Sequence, residues 1–286
     1  MTSFAERAGH RPSRSIVQIE SLDDETRTEI WNTLYILNRI FVSVAEGSYQ
    51  SDRTEAFYLD AIWTWKLKRA RDERPSNTRV WSEIKQLTLH GTWFDVLDLV
   101  EETIRYVDRY KTHSTEDTAT ALVDAFNNLF ERYLIGYRFI GHEITPVDSS
   151  AAAGAISAAI DDVNSIPGAR HSLERAVALL ADRAAPDYAN SIKESISAVE
   201  AVVQSLTKEN TLGAGLKKLE KAGISIHPVL SSAWSKMYGW TSDANGIRHA
   251  GIDAADADQA LAKYMLVACS AFVSLLMERG LKASLL

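Results

Sequence analysis

The segment Asp187-Tyr-Ala-Asn-Ser-Ile-Lys-Glu-Ser-Ile-Ser-Ala-Val-Glu200 carries its apolar residues at a helical period. Ile192, Ile196 and Val199, continued by Val203 and Leu206, fall on one stripe of a 3.6-residue repeat. Asp187 stands in front of that stripe as a capping residue. The spacing predicts an amphipathic helix over 187–207 that buries one face. Downstream, Leu212 to Lys221 predicts a short helix closed by Gly223, and His227-Pro228 opens a helix bearing Trp234 and Tyr238. A long last helix over about 255–279, capped by Asp253 or Asp256, carries Leu261, Tyr264, Ala268, Phe272 and Leu275 on one face. The stripes of 187–207 and 255–279 are too wide to leave exposed, so these two helices are expected to pack on each other.

The same period runs through the N-terminal half. Ser21, Asp23 and Asp24 offer capping chemistry for a helix reaching Glu46, with Ile30, Leu34, Leu37, Phe41 and Val44 on its apolar face. A second helix is expected from Thr54 to Arg71, carrying Phe57, Ile62, Trp63 and Trp65 and ending in Lys66, Lys68, Arg69 and Arg71. Cations suit the C-terminal end of a helix dipole, which explains that basic run without invoking phosphate. Helices follow from Thr78, from Trp93 to Tyr110, and over the Leu122, Phe126, Leu129, Phe130 and Tyr133 stripe. Aromatics at this spacing, five of the seven tryptophans among them, read as packing. The period changes only at Gly136-Tyr-Arg-Phe-Ile-Gly-His-Glu-Ile-Thr-Pro-Val147, where near-alternation around Gly141-His142 predicts a short hairpin. An Ala-rich helix over 149–162 and a helix over 171–180 complete the reading.

The fold class is therefore mainly α: an N-terminal helical domain with one small β-hairpin, followed by a helical bundle. Asn164 to Gly168, with Pro167, supplies the boundary, giving domains 1–163 and 164–286.

Composition bounds the function. With 46% hydrophobic and 24% charged residues the chain reads as globular. A net charge of −7 argues against broad adhesion to nucleic acid. The charge is uneven: residues 1–150 hold 18 Lys and Arg against 24 Asp and Glu, while residues 151–286 hold 13 against 14. A polyanion is better met by a local patch in the second half. The single Cys269, inside an apolar run, excludes an internal disulfide and a cysteine-cluster metal site. No apolar run is read as approaching membrane-spanning length, and Met1 to Arg14 lacks the apolar core of a signal peptide, so the expectation is a cytoplasmic protein that spans no membrane. Phosphate-cradling, dinucleotide-binding and His-Glu-x-x-His signatures are absent, and the seven histidines are scattered singly. No metal and no cofactor is expected.

One pair carries chemistry. In Asn245-Gly-Ile-Arg-His-Ala-Gly251, Arg248 offers a permanent bidentate phosphate ligand and His249 a group that exchanges protons near neutrality. An adjacent Arg and His in a surface turn is the plainer alternative. Glu194 is the candidate helix-borne polar partner, with Asn190 and Lys193 on the same turn region and Asn245 beside the pair as further candidate contacts.

Ser21 to Trp31, Trp93-Phe-Asp-Val-Leu-Asp-Leu-Val-Glu101, Gly136-Tyr-Arg-Phe-Ile140 and Ile144-Thr-Pro146 resemble the AbiJ N-terminal domain of the fourth type, found in bacterial phage abortive-infection proteins. The C-terminal half, with Ser191 to Glu200 and Gly246-Ile-Arg-His-Ala250, looks like the HEPN-type helical domain commonly fused to it. The resemblance implies an antiviral protein, a dimeric and metal-independent endoribonuclease whose cleft forms where two C-terminal bundles meet. Its expected partners are RNA, a second copy of the chain, and a phage-derived trigger or operon partner. Catalysis would fall to Arg248, His249 and Glu194, and RNA binding to Asn190, Lys193 and Asn245. The HEPN motif spaces its Arg several residues before its His. Here Arg248 directly precedes His249, and Ser242, Asp243, Ala244 and Asn245 are not basic. A non-catalytic dimerisation or binding module is the other reading, with Arg248 paired to Glu194 or Asp243.

Overall fold

The structure is a computed structural model that describes residues 17–46, 54–111, 115–182, 187–242 and 257–286, with Phe4, Ala8 and Ala185; side chains at 42–46 and 242 are outside the description. Its architecture is mainly α with one two-stranded antiparallel hairpin. Contacts divide it into two compact units, 1–144 and 145–286.

In the first unit, α1 (Asp24–Glu46) begins where the Asp23 carboxylate accepts the Thr26 N–H at 2.8 Å. Ile30, Leu34, Leu37 and Phe41 are buried as the period requires, and Val44 lies outside the described side chains. The expected helix from Thr54 to Arg71 is broken. After α2 (Thr54–Ala61) the chain winds into a π-helical turn, Ile62–Lys66, closed by an Ile62 carbonyl to Leu67 N–H bond of 2.9 Å. Trp63 and Trp65, two positions apart, cannot share one face of a regular helix. The wider turn leaves Ile62 and Trp63 buried and Trp65 61% exposed, which corrects the reading of every N-terminal tryptophan as packing. Two members of the basic run form local pairs: Lys66 with Asp98 at 3.1 Å, and Arg69 with Glu83 at 3.5 Å while lying over the Trp63 ring.

Helices α3 (Asn77–His90), α4 (Trp93–Arg109) and α5 (Thr118–Arg132) close this core around Ile84, Val100, Ile104 and Phe126. Strands β1 (Arg138–Ile140) and β2 (Glu143–Thr145) form the expected hairpin, with Gly141 at φ +58° in its turn. Side chains pin it. Asn127 of α5 accepts the Phe139 N–H at 2.7 Å and donates to the Phe139 carbonyl at 3.1 Å; Glu101 of α4 accepts the Ile144 N–H at 2.6 Å. The Gln18 segment adds a parallel bridge to Ile135, and the buried Gln18 amide donates to Thr26 Oγ1 and the Tyr133 carbonyl.

The second unit is a bundle: α6 (Ser150–Asp162), α7 (Pro167–Ala181), α8 (Tyr188–Thr207), α9 (Leu212–Lys218), α10 (Pro228–Ser242) and α11 (Gln259–Lys282). α6 packs on α7 and α11, within this unit. The stripe of α8, Ile192 to Leu206, is buried, each such side chain stabilising by roughly 1.5–3 kcal/mol. Asp187 caps α8 by accepting the Asn190 N–H at 3.0 Å. As the sequence implies, α8 and α11 pack together.

Two expectations for α11 are corrected. Its N-cap is Asp258, which accepts the Leu261 N–H at 2.8 Å, with Asp253 and Asp256 outside the described residues. Its buried arc is Ala262, Met265, Leu266, Cys269, Phe272, Val273, Leu276 and Met277, whereas Tyr264 is 58% exposed. Apolar residues nearly encircle this helix, so the period does not single out a face. For the same reason α11 is, by length and composition, long and apolar enough to cross a membrane, contrary to the sequence reading; half of its apolar window is buried against the bundle.

Candidate functional site

Asn190, Lys193 and Glu194 lie on the first turns of α8, on the side away from its buried stripe. Asn190 is exposed and its amide donates to Asp187 Oδ2 at 2.6 Å. Lys193 is exposed, and Glu194 is half-buried with no hydrogen bond or ion pair among the described residues. Ser191 and Ser195, on the opposite side, are buried; Ser191 donates to the Ala176 carbonyl of α7 at 2.8 Å and Ser195 to the Ser191 carbonyl. The polar edge thus stands on a helix fixed from behind.

Arg248, His249 and Asn245 lie outside the described residues, in the segment joining α10 to α11. The helices on either side of that segment are well held. A Cβ placed on Gly280 would lie 2.6 Å from Leu206 Cδ2, so α8 and α11 meet near their C-terminal ends, and since they pack along much of their lengths they run parallel. Arg279 donates to the Ser225 carbonyl just before α10, and Trp234 of α10 stacks on Phe272 at 4.1 Å. α10 therefore starts beside the C-terminal end of α11 and runs back along it. At 1.5 Å per residue, Glu194 is ~18 Å, Asn190 ~24 Å and Gln259 ~32 Å along the axes from the Leu206–Gly280 contact. The end of α10 and the start of α11 thus lie toward the end of the bundle where α8 begins.

Sequence reasoning missed a concavity in the first unit. A groove of about 790 Å³ runs between α2 with its π-turn and α4, adjoined by a hollow of about 250 Å³. Trp65, Tyr106, Arg109 and Tyr110 line both. Burial, then the nearby Tyr110 and Asp60, push the Tyr106 hydroxyl up to about 12. The signal available in the sequence was the Trp63-x-Trp65 spacing, which sends one ring outward. Among the described residues no group of three His, Cys, Asp or Glu side chains is arranged to hold a metal ion.

Comparison with curated proteins and with solved structures finds no significant match. The family model described as AbiJ N-terminal domain 4 matches residues 2–162, taking in the first unit and α6. The chain belongs to the AbiJ N-terminal domain 4 family.

Proposed function

We propose that this is a cytoplasmic phage-defence protein of the abortive-infection kind, whose C-terminal bundle is a HEPN-like, metal-independent endoribonuclease acting as a homodimer. In this reading residues 1–163 sense a phage-derived trigger or an operon partner, and residues 164–286 cut RNA. Family membership supports the defence role. The observation that carries the nuclease reading is the course of α8, α10 and α11: the helix ends flanking Arg248 and His249 lie toward the end of the bundle that bears Asn190, Lys193 and Glu194. Trp240 near the end of α10 and Tyr264 early in α11 are exposed aromatic surface on the helices flanking the same segment, which suits a two-fold interface there.

The chemistry needs no redox step. His249 takes the proton of a ribose 2′-hydroxyl as that oxygen attacks the adjacent phosphorus. The P–O5′ bond breaks, leaving a 2′,3′-cyclic phosphate, and a protonated imidazole returns a proton to the leaving 5′-oxygen. Arg248 stabilises the charge on the pentacovalent phosphorus, and Glu194 orients the imidazole or the guanidinium. Two copies across a symmetric interface supply two such pairs.

The adjacency of Arg248 and His249 favours a second reading, a non-catalytic dimerisation or RNA-binding module. End-labelled single-stranded RNA incubated with the purified full chain and a chelator separates the two. We expect cleavage to cyclic-phosphate ends by the wild type and a loss of at least about 100-fold in His249→Ala. Equal cutting by both proteins, or none by either, overturns the nuclease reading.

A further inference from the structure

We propose that the groove between α2 and α4 of the first unit is a binding site for a nucleotide. The base would stack on Trp65 and Tyr110, with the phosphates held by Arg109 and Arg71. This does not depend on the nuclease reading.

Three observations converge. Scattered exposed apolar side chains are ordinary, but here Phe57, Trp65 and Tyr110, each at least half exposed, gather in one concavity. Trp65 stands in the π-helical turn, and such turns are frequent at functional sites. The charges are the second observation. Most ionic groups around the groove are already matched: Arg74 with Asp60 at 2.6 Å, Arg105 with Glu101 at 2.9 Å, and Lys111 with Asp108 at 3.2 Å. Arg71 and Arg109 are exposed and have no ion pair among the described residues, leaving Glu102 as the unmatched acid of the lining. Among the described residues the lining thus carries more basic than acidic side chains, although residues 1–150 as a whole carry more acidic ones.

The third observation is size. About 790 Å³ falls within the range of roughly 300–1,000 Å³ typical of small-molecule sites. Flat aromatic faces beside free guanidinium groups match a π-surface joined to an anion. A lipid chain would leave the arginines without a role, and free phosphate would leave the aromatic rings without one. A nucleotide uses both, since bases stack on aromatic side chains whatever their sequence.

The test is calorimetric titration of the full chain with ATP, GTP, adenosine and tripolyphosphate, using wild type, Trp65→Ala and Arg109→Ala. Both positions are exposed, and circular dichroism verifies that the variants fold. We expect ATP or GTP to bind the wild type, with at least tenfold weaker binding in each variant. Adenosine should be sensitive to Trp65→Ala only and tripolyphosphate to Arg109→Ala only. Absence of nucleotide binding at millimolar concentration, or binding unchanged in both variants, overturns the proposal. So does an eight-nucleotide single-stranded RNA that binds through Trp65 and Arg109 at least tenfold more tightly than ATP, since the groove would then hold a strand.

Discussion

Trp234 lies face to face on Phe272, with 4.1 Å between ring centroids and 11° between ring planes. The pair joins α10 to α11 on either side of the segment that carries Arg248 and His249. Both rings are nearly buried, so the contact combines loss of water from apolar surface with close packing of two flat faces. The ends of that segment therefore depend on a core contact some distance away.

Replacing Trp234 with Ala is expected to cost about 3–5 kcal/mol of stability through the cavity it leaves. Denaturant unfolding measures this. Trp234→Phe keeps a ring against Phe272 and should lose clearly less; equal losses would show that the stack is not what matters at this position.

Three glycines in helices should respond differently to Ala. A Cβ on Gly215 runs into Cγ1 of Val203, a β-branched side chain with little rotamer freedom in a helix, so Gly215→Ala is expected to destabilise by about 1–3 kcal/mol. At Gly280 the new methyl meets the flexible ends of Leu206 and Leu286 at 2.6 and 3.0 Å, and the loss should be smaller. Gly154 in α6 has nothing within 4 Å, so Gly154→Ala should gain about 0.5–1 kcal/mol from backbone entropy. Thermal melts of the three variants give the ranking directly.

Glu101 makes stability pH-dependent. Burial raises its carboxyl pKa above the ordinary range; the Ile144 N–H and Arg105 pull it back, while Glu143 and Asp98 push it further up. A folded pKa above the unfolded one means the native state holds this proton more tightly. The resulting stability is present below about pH 4.3, the ordinary glutamate value, and is lost as pH rises through the folded pKa. Glu101→Gln cannot titrate, so its stability relative to wild type should rise from acid toward neutral pH. Urea unfolding at several values from pH 4 to 7 follows the difference, and a flat or falling difference contradicts the assignment.

Asn127 holds β1 by giving and taking one hydrogen bond with Phe139. Asn127→Ala loses both bonds, at a net contribution of about 1 kcal/mol each, so a loss of roughly 2 kcal/mol is expected from chemical unfolding. Asn127→Asp keeps the acceptor but sets its second carboxylate oxygen against the Phe139 carbonyl, adding repulsion to the lost bond. Hydrogen exchange at the Phe139 amide should speed up in Asn127→Ala and stay slow in Asn127→Asp.

Local pattern was sufficient for the helices with one clear apolar stripe. Ile30 to Phe41 and Ile192 to Leu206 declare their buried faces because each side chain must leave water on one side. The hairpin was legible too, since a change of period and a glycine able to take φ +58° are local properties. The caps at Asp23 and Asp187 were legible for the same reason. Tertiary structure decided the rest. α11 is apolar on nearly every side, and only the positions of α6, α7 and α8 fix that Met265 and Cys269 turn inward while Tyr264 turns out. The Trp63-x-Trp65 spacing sends one ring outward, but the break at Ile62–Lys66, and which of the two rings is buried, are not contained in the local pattern. The groove exists because residues around 65 and 109, far apart in sequence, are brought together by packing. A stripe is a property of one segment, whereas a concavity is made by two.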